Sequence, residues 1–110
     1  MATDRQIKEL SVALLKALDF AKTFDETEDG GTCNFDTPQI ILSGWTRDCV
    51  ERAFRDTGLR FDVEKSGRLI IVSVFGCSNG QGNRRTTMAE AFRDSLRSDG
   101  FDAYVYYQID

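Results

Sequence analysis

A chain that carries one βαβ pattern twice is confined to very few folds, and this chain shows the marks of such a duplication. "IILS" at Ile40 to Ser43 recurs as "IIVS" at Ile70 to Ser73, "AFRD" at Ala53 to Asp56 recurs at Ala91 to Asp94, and "FD" at Phe61 and Asp62 recurs at Phe101 and Asp102. Single matches of this length arise by chance, but here three of them keep the same order. Each sits inside the same succession of element signals. "QIILSGW" reads as a strand; Thr46 can then cap a helix through Thr57, with Cys49, Val50, Ala53 and Phe54 inward and Gly58 as its stop. "LRFDVE" alternates apolar and polar residues as a half-buried strand does, and "KSG" turns into "RLIIVSVF", which is apolar on both faces and reads as a central strand covered above and below. Thr87 and Glu90 form a capping box for a further helix with Met88, Phe92 and Leu96 inward and Gly100 as its end. In the last strand, "FDAYVYYQI", Phe101, Ala103, Val105, Tyr107 and Ile109 share a face.

Ahead of the repeat, Thr3 and Gln6 form a capping box, and Ile7, Leu10, Leu14, Ala17, Leu18, Ala21 and Phe24 recur at helical spacing over about 4–24. Val12 and Leu15 widen that stripe. An acidic, glycine-containing loop follows over 25–37, with the only proline, Pro38, where a strand begins. The 110 residues suit a single domain, 1–110, able to bury roughly two thirds of its unfolded surface without a metal or disulfide. The fold class expected is α+β. The βαββαβ order over 38–110 resembles the ferredoxin-like split βαβ arrangement, with four antiparallel strands ordered 4-1-3-2 and an additional N-terminal α-helix. The apolar outer face of the central strand then needs a cover, and the first helix is expected to supply it, with a dimer partner as the alternative.

The halves differ in length at one place. Ser43 precedes Ala53 by ten residues while Ser73 precedes Ala91 by eighteen, so the second half holds eight extra residues, within "GCSNGQGNRRTT", 76–87. The two inner strands of the repeat are expected to lie side by side and to run the same way, so this stretch is expected beside "GWTR" (44–47), each leading into a helix N-terminus. Such an edge attracts anions through free N–H groups and the helix dipole. The ligand- or partner-binding candidates are therefore Trp45, Arg47, Gln81, Asn83, Arg84, Arg85 and Thr86, arginine for bidentate contacts and Trp45 for stacking. The plainer alternative is a solvated loop with Trp45 in the core.

Charge supplies a second candidate. The net charge is −4, and residues 1–36 hold eight acids against four bases, with Asp25, Glu26, Glu28 and Asp29 clustered. Such a surface disfavours direct nucleic-acid binding and suits a basic partner. As an EF-hand-like loop, Asp25, Thr27, Asp29, Gly30 and Asp36 fall at suitable positions, but Thr replaces an acid, the final Glu is missing and a strand follows, so no metal is expected.

Catalysis is disfavoured because the chain has no histidine, which removes the commonest general base and zinc ligand. Gly80 and Gly82 lack the third glycine of a dinucleotide motif, and no P-loop is present. Cys33, Cys49 and Cys77 are odd in number and scattered, which suits structural thiols in a reducing compartment; a cytoplasmic location with no membrane partner is expected. Tyr104 and Tyr106 point outward, but the central strand lacks the aromatic pattern of RNA-binding sheets. No cofactor is expected. The function these features suggest is a non-catalytic interaction module that binds a protein partner, such as a basic nucleic-acid-binding protein. Small acidic proteins of this size are common among phage and mobile-element inhibitors of bacterial defence, including anti-CRISPR proteins; the likeness is one of size and charge. The alternative is a binder of nucleotides or other small anions, and a homodimer is compatible with either.

Overall fold

The computed structural model describes residues 1–24, 36–77 and 83–107. Its elements are α1 (Asp4–Lys22), β1 (Thr37–Ser43), α2 (Arg47–Phe54), β2 (Arg60–Ser66), β3 (Leu69–Phe75), α3 (Asn83–Ser98) and β4 (Asp102–Tyr106). The fold is α+β: three helices and one antiparallel sheet of four strands in the order β2-β3-β1-β4. The described residues share one apolar core. None of their helices is long and apolar enough to cross a membrane.

Local chemistry sets the element ends. Thr3 caps α1 by accepting from the Gln6 N–H at 3.2 Å while the Gln6 side chain accepts from the Thr3 N–H at 2.9 Å. Thr46 caps α2 through the Cys49 N–H at 3.3 Å. That helix stops at Phe54, three residues short of the expected Thr57, because the chain then takes left-handed conformations at Asp56 (φ +66°) and Gly58 (φ +77°). Conversely, α3 starts four residues before the expected Thr87. Thr86 Oγ1 donates to Asp36 Oδ2 at 2.5 Å, holding the first turn of α3 against the start of β1 and leaving Thr87 inside the helix. The eight surplus residues of the second half are thereby accounted for: two extend the strand beyond Ser73, four lengthen the connection and two lengthen the helix ahead of Ala91.

The sheet register makes the duplication physical. Ile41 pairs with Ile71, Ile40 with Val72 and Leu42 with Ile70. Ile41 and Ile71 are equivalent positions of the repeat, so the local twofold relating the two inner strands passes between them, normal to the sheet. Ala53 and Phe54 of α2 and their equivalents Ala91 and Phe92 of α3 are all buried. The outer strands depart from symmetry: Asp62 pairs with Ser73, whereas Asp102 pairs with Ile41 and not with Ser43, a displacement of two residues.

Two expectations are overturned. The inner strands β1 and β3 run antiparallel, so they do not end at the same edge. The reason is the β2–β3 hairpin. The α2 crossover returns the chain parallel to β1, and the tight turn at Gly67 (φ +63°), the first central position between Ser66 and Leu69, reverses it once more. Nor does α1 cover the open side of the sheet. It packs against α3 and α2 on the helix side, in one core with Ile40 and Val72. Lys16 Nζ pairs with Asp99 at 2.9 Å, and Phe20 shares a groove with Asp94 and Ser95, so α1 runs antiparallel to α3. Its buried stripe of Ile7, Leu10, Ala13, Leu14, Ala17 and Ala21 is narrow and rich in alanine, which lets it approach two helices closely. Val12 and Leu15, expected to widen that stripe, are 57% and 43% exposed.

Candidate functional site

The antiparallel sheet has two distinct ends. Pairings of Arg60 with Phe75 and of Thr37 with Tyr106 gather the starts of β1 and β2 and the finishes of β3 and β4 at one end, where α3 begins. At the opposite end the Gly44 N–H donates to the Arg68 carbonyl at 3.2 Å, and α2 begins. The candidates therefore separate. Trp45 lies at the α2 end, half-buried against the core, and Arg47 opens α2 with its guanidinium 5.7 Å from the Phe61 ring centroid. Arg85 and Thr86 lie at the α3 end, together with Asn83 and Arg84 of the first turn, all in helix and not in a loop. The expected composite of Trp45, Arg47 and the arginine pair is not assembled, because strands that oppose one another cannot bring both helix N-termini to one edge.

The same geometry unites two groups that sequence had kept apart. Asp36, which closes the acidic segment, is 2% exposed and accepts from Thr86 in the first turn of α3. The chain thus leaves Phe24 and returns at Asp36 beside the place where the 76–87 stretch becomes α3. Asp25, Glu26, Glu28, Asp29 and Gln81 themselves lie outside the described residues. Tyr107 stands at the same end, on the helix side of the sheet: its phenol donates to Glu90 Oε2 at 2.6 Å and accepts from Arg93 at 3.3 Å. The Glu90 hydrogen bond, and then burial, hold the Tyr107 phenol above its ordinary pKa while Arg93 opposes them. Arg93 is itself raised, chiefly by its hydrogen bond to Asp94 at 2.9 Å.

Cys49 and Cys77 are both buried. The Cys49 thiol is lowered from its ordinary pKa, first by the hydrogen bond from the Thr46 hydroxyl at 3.2 Å, with burial acting against it. It is enclosed beneath α2, where a small apolar thiol fills the core. Among the described residues no group of three or more His, Cys, Asp or Glu side chains is placed to hold a metal ion.

The second surface of interest was not among the expected sites. On the side of the sheet away from the helices, the register lays the side chains out in rows across β2, β3, β1 and β4. One row is Asp62, Ser73, Gln39 and Tyr104; the next is Glu64, Ile71, Ile41 and Asp102. Leu69 (42% exposed) and Tyr104 (44%) lie one row from the half-buried pair Ile41 and Ile71, and Phe75 (36%) and Tyr106 (55%) lie two rows away, beyond Ser73 and Gln39. Gln39 Nε2 donates to Ser73 Oγ at 3.3 Å, a polar bridge inside the apolar field. The signal for this face was the two-sided apolarity of "RLIIVSVF", which had been assigned to burial under α1. At the β4 edge Arg97 reaches round from α3: its Nε donates to the Ala103 carbonyl at 2.7 Å and its guanidinium lies 5.2 Å from the Tyr104 ring centroid. The Tyr104 phenol is raised in pKa, first by its hydrogen bond to Asp102.

Comparison with family models, with curated proteins and with solved structures finds no match to this chain.

Proposed function

We propose that the chain is a ferredoxin-like βαββαβ module with an added N-terminal helix that works by binding, without catalysis, a protein partner with a basic surface. The observation that carries this is the hydrogen bond from Thr86 to the buried Asp36. It anchors the residue that closes the acidic segment to the first turn of α3, which begins inside the 76–87 stretch, so Asp36 and the start of α3 share one end of the sheet. Four carboxylates within five positions, Asp25, Glu26, Glu28 and Asp29, precede that anchor in the sequence. Clustered charge of one sign steers an oppositely charged partner and sets the register of docking. The acidic sequence pI of about 4.8 and the small size fit a polyanion mimic that occupies a basic nucleic-acid groove, as phage or mobile-element inhibitors of bacterial defence do. A small-anion binder has weaker support, because the α3 N-terminus is left without Trp45 and Arg47.

The test is capture from a bacterial lysate on the immobilised protein and on the variant Asp25→Asn, Glu26→Gln, Glu28→Gln, Asp29→Asn. The wild type retains a basic protein at low ionic strength and releases it as salt shortens the screening length; the variant retains at least about tenfold less. Equal retention by both proteins, or capture of nothing by the wild type, overturns the proposal.

A further inference from the structure

The open face of the sheet presents Ile41, Ile71, Leu69, Phe75, Tyr104 and Tyr106 among polar neighbours, and large apolar side chains gathered on one face mark surfaces that other surfaces cover. The described helices all pack on its other side, so the cover comes from outside this set of elements. Three properties of the face point to its occupant.

The first is symmetry. Ile41 and Ile71 pair across the local twofold, and the polar Gln39–Ser73 pair lies one row away, so at these two heights β1 and β3 present residues of like character. A second twofold, parallel to the strands and lying above that pair, lays Ile71 of one copy on Ile41 of the other and Ser73 on Gln39. In these two central rows apolar meets apolar and polar meets polar, while in the flanking rows Leu69 meets Ser43 and Phe75 meets Thr37. Closed twofold pairing through one self-complementary patch is the commonest way identical chains associate.

The second is charge. The same operation exchanges the edges, placing β2 of one copy over β4 of its partner. Asp62 on β2 then faces Tyr104, beside which Arg97 places its guanidinium. A like-charge contact, Glu64 over Asp102, also arises, twice by symmetry, at the solvent rim.

The third is area. With four strands about 4.8 Å apart and about seven residues of 3.3 Å each, the face measures roughly 19 by 23 Å in projection and more over its side chains. Two such faces bury on the order of 1,000 Å² together, the size at which specific interfaces begin.

From these we infer that the open face of the sheet docks against a second copy of this chain, with β3 over β1 and β2 over β4 about a twofold axis parallel to the strands. The surface differs from the acidic end proposed above, so either assignment can fail alone.

Sedimentation equilibrium of the full chain tests it. The wild type shows a concentration-dependent doubling of mass. Ile71→Arg, which places a guanidinium against Ile41 of the partner copy, weakens association by about 100-fold or more while circular dichroism and the thermal midpoint stay those of a folded chain. Glu64→Gln at the rim, which touches no core residue, tightens association by removing the like-charge contacts. A wild type that stays monomeric up to about 1 mM overturns the inference. So does a dimer that survives Ile71→Arg. If Glu64→Gln instead weakens the dimer, the edge exchange is wrong and the stated arrangement falls.

Discussion

Ile70 and Ile71 are neighbours in β3 and the same residue type, yet they belong to different environments. Ile70 faces the helices, 2% exposed, within a field of Ile40, Leu42, Val72 and Val74 that α1, α2 and α3 close over. Ile71 faces away, half-buried only by its sheet neighbours, among Leu69, Phe75 and Tyr104. Full burial of an aliphatic side chain is worth about 1.5–3 kcal/mol. The helix face collects that for nearly every residue it holds. The open face collects a fraction of it, and the remainder becomes available when another surface docks there. One side of the sheet stores the stability of the monomer and the other stores association energy; the pleat, with its period of two residues, separates them.

The pair Ile40 and Ile41 tests this division at its largest. Ile40→Ala empties a fully buried site and lowers the unfolding free energy by about 2–5 kcal/mol. Ile41→Ala, on the opposite face of the same strand, costs below about 1 kcal/mol in urea titrations at low-micromolar protein. Equal losses would mean that the open face is already closed within one chain, and the contrast between the faces would disappear.

Asp36 sharpens the comparison where both faces end. Its carboxylate is buried and accepts from Thr86, so Asp36→Ala removes a hydrogen bond to a charged group and costs about 1.5–3 kcal/mol. Asp36→Asn, which keeps an acceptor of the same shape, costs less. The difference in urea midpoint between the two variants reads the acceptor that Asn keeps and Ala lacks. A midpoint unchanged in Asp36→Ala would show that α3 does not depend on this anchor for its first turn.

The inner face was legible in the sequence and the outer one was misread, for a physical reason. Met88, Phe92 and Leu96, spaced one helical turn apart, and the alternation of Phe61 and Val63 identify residues that face the core, because periodicity is a local property. The repeat of "IILS" as "IIVS" gave the pairing of the inner strands, since Ile41 and Ile71 meet in register. Local pattern does not state which element covers an apolar face, and α1 carried an apolar stripe suitable for either side. The alanines at 13, 17 and 21 were the available clue that it packs between helices. The composite site failed at the one step that depends on direction: Gly67 reverses the chain, and that reversal sends Trp45 and Thr86 to opposite ends of the sheet. Asp36 could not be told from its acidic neighbours, because its burial depends on Thr86, fifty residues away in sequence.

The smallest expected effect distinguishes the two faces at the end of β4. Tyr106 points to the open side; Tyr107, one residue on, points to the helix side and donates to Glu90. Tyr107→Phe removes that hydrogen bond and lowers stability near pH 8 by up to about 1 kcal/mol, discounted because the site is partly exposed. Tyr106→Phe leaves monomer stability unchanged. The Tyr107 phenol is raised in pKa in the folded chain, so the folded state holds its proton more tightly than the unfolded state does. Its contribution is complete below the ordinary tyrosine value of about 10 and declines as pH climbs through the raised value. In urea titrations from pH 8 to 11 the gap between the wild type and Tyr107→Phe therefore narrows toward the alkaline limit, while the gap for Tyr106→Phe stays at zero. A Tyr107→Phe gap that is constant across this range would show that the phenol titrates alike in the folded and unfolded chain, so that the Glu90 hydrogen bond does not hold its proton.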